Sequence, residues 1–321
     1  MGGLVVIALG GNAILQPGQR GTVAEQQANI RAACQAIAEV VQEGWQVVLT
    51  HGNGPQVGNL LLQSEEASGV VPPATLDVCG AQTQGMLGYL IQQELSRATG
   101  RTAVSVVTQV VVDPADSAFG NPTKTVGPFY TEARARKAMA ERGWQMREDA
   151  GRGWRRVVPS PHPVRVVEAE LIQRLVDAGT LVIAAGGGGV PVADGPDGLH
   201  GIEAVIDKDR AATVLALGLG AEKLIILTDV EHVCLHYRRP EQVVLREVTV
   251  SEGLGYLAQG HFRAGSMGPK VEAAVAFVEA SGGEAVIGSL TDAARAVAGL
   301  AGTRFVPDEG GDPGLRMITS R

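Results

Sequence analysis

The 321-residue sequence has few cysteines, few aromatic side chains and few lysines. The three cysteines, Cys34, Cys79 and Cys234, are far apart and odd in number. That suits a reducing compartment, the cytoplasm, better than a disulfide framework or a cysteine-based zinc site. No apolar run is long enough to cross a bilayer: the longest charge-free stretch near the middle, Thr180 to Ala193, contains four consecutive glycines. The N-terminus, Met-Gly-Gly-Leu-Val-Val, shows no basic leader and has Val6 where a myristoylation signal needs Ser or Thr. There is no Gly-Lys dipeptide, which excludes a Walker A loop, and no His-Glu-x-x-His or Ser/His/Asp nucleophile elbow. The net charge of −7 argues against the broad electrostatic attraction that nucleic-acid binders use. An anionic ligand must therefore meet local positive charge.

Glycine is what the chain has in excess: 43 residues, nearly twice the usual share of about 7%. Neither collagen periodicity nor a disordered composition accounts for them, because six runs rich in Val, Ile and Leu punctuate the chain. These are Leu4–Leu9, Val47–Thr50, Val104–Val112, Leu181–Ala185, Leu224–Leu227 and Ala285–Ile287. They are continuous, so they read as strands buried on both faces. Helical patterns lie between them. Ile30, Ala33, Cys34, Ile37 and Val41 repeat at helical spacing behind a capping box at Thr22 and Glu25, and Gly44 stops them. The same grammar ends at Gly179 and Gly282. This predicts a three-layer α/β/α sandwich around a mainly parallel sheet, with ligands beyond the carboxyl ends of its strands. Gly10-Gly11-Asn12, Gly52-Asn53-Gly54, Gly186 to Gly189 and Thr228-Asp229 all fall at such ends, where bare backbone admits a phosphate. Pro55 then opens a helix whose positive end meets the same edge.

Residues 114–165 depart from this pattern. They hold 6 of the 16 prolines and two of the three tryptophans, and they carry an excess of five positive charges over an otherwise acidic body. They read as a protruding lid with its own small core, inserted in a single domain spanning 1–321. Arginine is the default cation, with 22 residues against five lysines, so lysine positions are informative. Lys124 lies in a Pro/Gly-rich loop of the lid. Lys208 starts a helix expected over 208–219, and Lys270 follows Pro269 in a first helical turn, where the macrodipole disfavours a cation unless an anion is bound. These lysines are candidates for contacting a transferable phosphate, with Asp209 holding them in place. A surface lysine set with a helix-capping Asp is the plain alternative. His232, Cys234 and His236 alternate, but one short strand rarely supplies a closed metal site. A dinucleotide fold fits poorly: Gly52, Gly54 and Gly58 have the wrong spacing, and Glu65 and Glu66 fall on a helix.

Taken together, these motifs resemble the carbamate kinases of the amino-acid kinase superfamily. The residues that carry the resemblance run in family order from about residue 4 to about residue 290. They are Ala8–Ala13, His51–Leu61, Thr108–Asp116, Asp149–Pro161, Gly186–Gly189, Glu203–Asp209 and Gly265–Lys270. The resemblance implies phosphoryl transfer between ATP and carbamate, giving ADP and carbamoyl phosphate, with Mg²⁺ carried on the nucleotide and no metal site in the protein. It further implies a cytoplasmic homodimer that makes ATP in arginine and carbamoyl phosphate catabolism. Carried over, Gly10, Gly11, Asn12, Gly52 and Asn53 of the N-terminal half would hold carbamoyl phosphate, and Lys124, Lys208, Asp209 and Lys270 would be catalytic. Gly187, Gly188, Thr228, Asp229, Val230, Tyr237, Met267 and Lys270 would form the nucleotide side in the C-terminal half. Thr125 departs from the family, which commonly has Pro after the lid lysine, and the tail beyond about residue 300 matches loosely. A non-catalytic nucleotide-sensing homologue is the alternative, and retention of the three lysines and Asp209 weighs against it.

Overall fold

The structure, a computed structural model, describes residues 2–148, 153–262, 266–308 and 317–319. Its centre is an eight-stranded sheet. In chain order the strands are β1 (Leu4–Leu9), β2 (Gln46–His51), β3 (Ala103–Ser105), β4 (Leu181–Ile183), β5 (Lys223–Thr228), β6 (Glu247–Thr249), β7 (Glu284–Ser289) and β8 (Thr303–Val306). In space they run β6-β8-β7-β5-β1-β2-β4-β3. Every pairing is parallel except β7 with β8.

Successive residues of β1 serve opposite layers, as the period-two geometry of a strand requires. Val5, Ile7 and Leu9 pack with α1 (Val23–Gln42), α3 (Leu76–Thr99) and α9 (Ala293–Val297). Leu4, Val6 and Ala8 pack with α5 (Ala169–Asp177), α6 (Lys208–Gly218) and α8 (Met267–Ser281). The layered α/β architecture is the one the apolar runs predict. The capping box forms as expected: the Thr22 side chain accepts from the Glu25 N–H while the Glu25 carboxylate accepts from the Thr22 N–H. Gly44 and Gly282 end their helices at positive φ, +95° and +67°.

One apolar run divides. Val104–Val112 was expected as a single strand, but it supplies β3 to the central sheet and a separate strand, Gln109–Val112, to a four-stranded sheet with Pro163–Val166, Val190–Gly195 and Gly198–Gly201. Buried Thr108 makes the break: its hydroxyl accepts from the Ala185 N–H at 2.9 Å and donates to the Val106 carbonyl, and its own carbonyl accepts from the Gln84 amide. Strands β6 and β8, too short to stand out as apolar runs, extend the sheet beyond β7. Part of the tail, Met317–Thr319, pairs antiparallel with Val243–Leu245.

The segment expected as a lid holds a three-stranded antiparallel sheet of Lys124–Tyr130, Trp154–Val158 and Met146–Glu148, with α4 (Glu132–Arg142) inserted. Asp149 to Arg152, and Gly265, belong to motifs quoted above and lie outside the described residues. The lid shares its apolar core with the body: Val126 and Val158 are buried against Val57 and Leu61 of α2 (Gly54–Glu66) and against Leu76 and Cys79 of α3. Outside that core, Trp144 lies against the Arg142 and Arg156 guanidiniums at 5.1 and 4.5 Å. Among the described residues, no helix is long and apolar enough to cross a membrane.

The lid and α2 meet backbone to backbone. A Cβ placed on Gly58 would lie 2.6 Å from the Gly127 Cα, and neither side can yield by rotating a side chain. Gly58→Ala is therefore expected to destabilise the protein by about 1–3 kcal/mol through overpacking. Gly85→Ala is the control: Gly85 is an exposed position inside α3 with nothing within 4 Å of an added Cβ, so it should stabilise by about 0.5–1 kcal/mol. Urea unfolding of both variants measures the two opposite signs.

Candidate active site

A cavity of about 690 Å³ opens at the carboxyl ends of the parallel strands. Gly10, Gly11 and Asn12 line it after β1, Gly52, Asn53 and Gly54 after β2, Gly187 in the turn after β4, Thr228 and Asp229 at the end of β5, and Ser289 to Thr291 after β7. Lys124, Thr125 and Val126 of the lid line it from the other side. Helices α2, α6 and α8 all begin at its wall, so three helix N-termini direct their positive dipole ends toward one space. Such a space suits an anion.

The charges inside it are arranged around Asp209. This carboxylate, 3% exposed, accepts from Lys208 Nζ at 2.5 Å on one oxygen and from Lys270 Nζ at 2.8 Å on the other. Lys208 and Asp209 open α6, and Lys270 sits in the first turn of α8. Burial alone would push the Asp209 carboxyl up, but the two ammonium charges prevail and hold it below the usual carboxylate range. For Lys208, burial lowers the pKa, Asp209 pulls it back up, and the nearby Lys270 charge lowers it further. Both ammoniums occupy helix N-termini, where the dipole repels them. The single carboxylate offsets that repulsion and leaves the cluster cationic.

A second ion pair crosses from the lid: Lys124 Nζ lies 2.7 Å from Asp207 Oδ2. Asp207 is also the N-cap of α6, its Oδ1 accepting from the Asp209 N–H at 2.9 Å. Asn12 on the β1 end donates to Asp229 on the β5 end at 3.1 Å, joining two of the strand termini. Asn53 donates to buried Thr83 at 2.8 Å, so its side chain is held by α3 and does not cap α2. Thr125, the departure from the family pattern, is held inside the lid hairpin: its hydroxyl accepts from Arg155 Nη1 at 3.0 Å.

The four-glycine turn is also constrained by packing that the sequence alone does not show. Gly186, Gly187 and Gly188 are buried. A Cβ on Gly186 would strike the His51 ring, one on Gly187 the Asn53 amide, and one on Gly188 the Ile206 carbonyl. Protein packing therefore excludes side chains from this turn, whereas Gly11 and Gly54 face open space.

The sequence-derived residues divide accordingly. Gly10, Gly11, Asn12, Gly52, Asn53, Lys124, Gly187, Lys208, Asp209, Thr228, Asp229 and Lys270 share one cavity wall. Gly188 is buried directly behind Gly187, and Met267 heads α8 packed on the core of the α6 layer. Val230 lies outside the wall. Tyr237 also lies outside it, half-exposed beneath the Arg238 guanidinium. Residues that sequence reasoning did not assign include Asp207, Thr83 and the Ser289–Thr291 segment. Lys223 joins the unusual lysines, donating to Glu284 and to the Val297 carbonyl over the Trp45 ring. Of the five lysines, Lys137 is the ordinary surface one, 71% exposed.

The sequence matches the family model described as "Amino acid kinase family" over residues 3–289. A carbamate kinase from Pyrococcus horikoshii is 50% identical over 94% of this chain and 99% of the relative. One from Thermococcus kodakarensis is 51% identical over 94% and 98%. The chain belongs to the carbamate kinases of the amino acid kinase family. Among solved structures, a carbamate kinase from Giardia lamblia bound to AMP-PNP superimposes with a TM-score of 0.90 at 47% identity, covering 96% of this chain and 99% of that one. The family assignment agrees with the resemblance carried by the strand-end glycines and the lysine motifs.

His51, at the end of β2, contributes a pH dependence. It is 1% exposed, and its Nδ1–H donates to the Gly52 carbonyl at 3.0 Å. Burial pulls its pKa down to about 4, against the Gly52 carbonyl, which raises it, and the Lys208 charge lowers it again. The imidazole is therefore neutral in the folded state while the unfolded chain takes up a proton near pH 6.5, so this contribution is complete above that pH and is lost as pH falls toward 4. The loss reaches about 2–3 kcal/mol at pH 4.5. His51→Gln should flatten this part of the stability profile, as read by urea unfolding between pH 7 and 4.5.

Proposed function

We propose that this chain is a carbamate kinase, moving a phosphoryl group reversibly between ATP and carbamate and forming ADP and carbamoyl phosphate. The observation that carries the reading is the pair of partly buried ammoniums, Lys208 and Lys270, held by the one carboxylate of Asp209 at the anion-seeking cavity. Phosphoryl transfer needs little else from a protein, because positioning and electrostatic stabilisation supply nearly all of the catalysis. Sequence relatives named carbamate kinase at about half identity support the choice of substrate.

In this reading Gly10, Gly11, Asn12, Gly52 and Asn53 hold carbamoyl phosphate or carbamate. Lys124 reaches from the lid to the transferring group. Lys208 and Lys270 neutralise charge that builds on the phosphate oxygens, and Asp209 keeps the two from repelling each other out of place. Gly187, Gly188, Thr228, Asp229, Val230, Tyr237 and Met267, with Lys270, form the nucleotide side. The carbamate anion attacks the γ-phosphorus through oxygen as the bond to the β,γ-bridging oxygen breaks, and that oxygen leaves on ADP. The reverse direction returns the phosphoryl group to ADP.

Magnesium arrives on the nucleotide phosphates, where it neutralises negative charge. Among the described residues, no group of three or more His, Cys, Asp or Glu side chains could hold a metal. Asp207 and Asp209 are both engaged by lysines. The same reading makes the protein a cytoplasmic homodimer that produces ATP in arginine and carbamoyl phosphate catabolism.

Incubation with ADP, Mg²⁺ and carbamoyl phosphate should yield ATP, measured by luminescence. Lys208→Ala and Lys270→Ala should each lower turnover by at least about 100-fold, as loss of one preorganised electrostatic contact does. Nucleotide binding by the unsubstituted protein without any ATP formation would replace this reading with a nucleotide-sensing one.

A further inference from the structure

Asp207 is the one cavity carboxylate whose role the proposed chemistry leaves open. It does two jobs with two oxygens. Oδ1 caps α6 through the Asp209 N–H at 2.9 Å, and Oδ2 takes the Lys124 ammonium of the lid at 2.7 Å. The cap fixes the carboxylate, because it ties Asp207 to the first turn of α6 that follows it. The carboxylate is also mostly buried, its side chain 14% exposed against 36% for Lys124. A backbone bond from Val205 N–H to the Pro159 carbonyl, at 3.0 Å, ties the segment leading to Asp207 to the residue just after the lid strand that pairs with Lys124. The anchor and the group it anchors are thus joined on both sides.

Charge gives the anchor a purpose. Lys124, Lys208 and Lys270 all line one cavity, and Asp209 is saturated by the other two lysines. Without Asp207, Lys124 would face two neighbouring ammoniums with no carboxylate of its own, and a flexible lysine under that repulsion turns to solvent. With it, the ammonium waits inside the cavity before any phosphate arrives. We propose that Asp207 is a positioning residue: it holds Lys124 over the site in the unliganded protein, ready to transfer its hydrogen bonds to the moving phosphoryl group. This rests on the reading that the cavity performs phosphoryl transfer.

Asp207→Asn separates the two jobs, since an Asn side chain still caps a helix but cannot hold an ammonium as an ion pair. The variant should keep its thermal midpoint and its nucleotide KM. Its kcat for ATP formation should fall at least about tenfold, a typical result of a misplaced catalytic group. Lys124→Ala/Asp207→Asn should be no slower than Lys124→Ala alone, because the Asp acts only through the Lys. Wild-type kcat in Asp207→Asn, or losses that multiply in the double variant, would overturn the proposal. A second measurement does not depend on activity: hydrogen exchange of the Lys124–Tyr130 amides, in unliganded protein, should quicken severalfold in Asp207→Asn. Unchanged exchange would also overturn it. If the unsubstituted protein makes no ATP, the functional reading fails while the exchange result still decides whether Asp207 holds the lid lysine.

Discussion

Two ammonium groups side by side at helix N-termini repel each other unless a carboxylate lies between them. Much of this structure serves that requirement. Asp209 must sit within hydrogen-bond reach of lysines borne by two different helices, so α6 and α8 must begin side by side at the same edge. They do so because each packs on the same face of the sheet, through Ala211, Ala212 and Leu215 on one and Val271, Ala274 and Val278 on the other. Small residues on both allow the close approach: the Thr213 hydroxyl reaches the Ala273 carbonyl at 3.0 Å across the seam. Removing Asp209 alone would leave two mostly buried charges without a partner, the costliest way to break such a cluster.

The second constraint is on the lid. It carries a lysine into the cavity, yet its three short strands bury too little to be rigid alone. Sharing Val126 and Val158 with α2 and α3 solves this, and the backbone contact of Gly58 with Gly127 sets how closely the two can approach. The helix that supports the lid is the same one whose first turn follows Gly52 and Asn53, so lid position and strand-end geometry share a single rigid element.

The parts of this arrangement legible in the sequence were those governed by short-range physics. Strands buried on both faces leave unbroken apolar runs, and Leu4–Leu9 was readable to the residue. The Thr22–Glu25 box and the stops at Gly44 and Gly282 were readable because their partners are three or four residues away. Lysine placement at helix starts was readable because it opposes local electrostatics. The rest depended on distant partners. The break at Thr108 comes from hydrogen bonds to Gln84 and Ala185, neither of them nearby in the chain. Asp207 could be seen beside Lys208, but its ion-pair partner is 83 residues upstream. The packing role of the glycines at 186–188 was not legible, since the His51 and Asn53 side chains that crowd them arrive from another strand.

The ends of the central sheet have a consequence of a different kind. An open sheet of this width exposes two rows of unpaired backbone groups, which invite pairing with another chain. Here the outermost strands, β3 and β6, are three residues each, and at the β6 end the parallel order is interrupted by the antiparallel β7–β8 pair. Neither border offers the long, flat template on which intermolecular strands assemble. A protein built around a wide parallel sheet, a slow fold to complete, therefore carries its own guard against aggregation in the shortness of its edges.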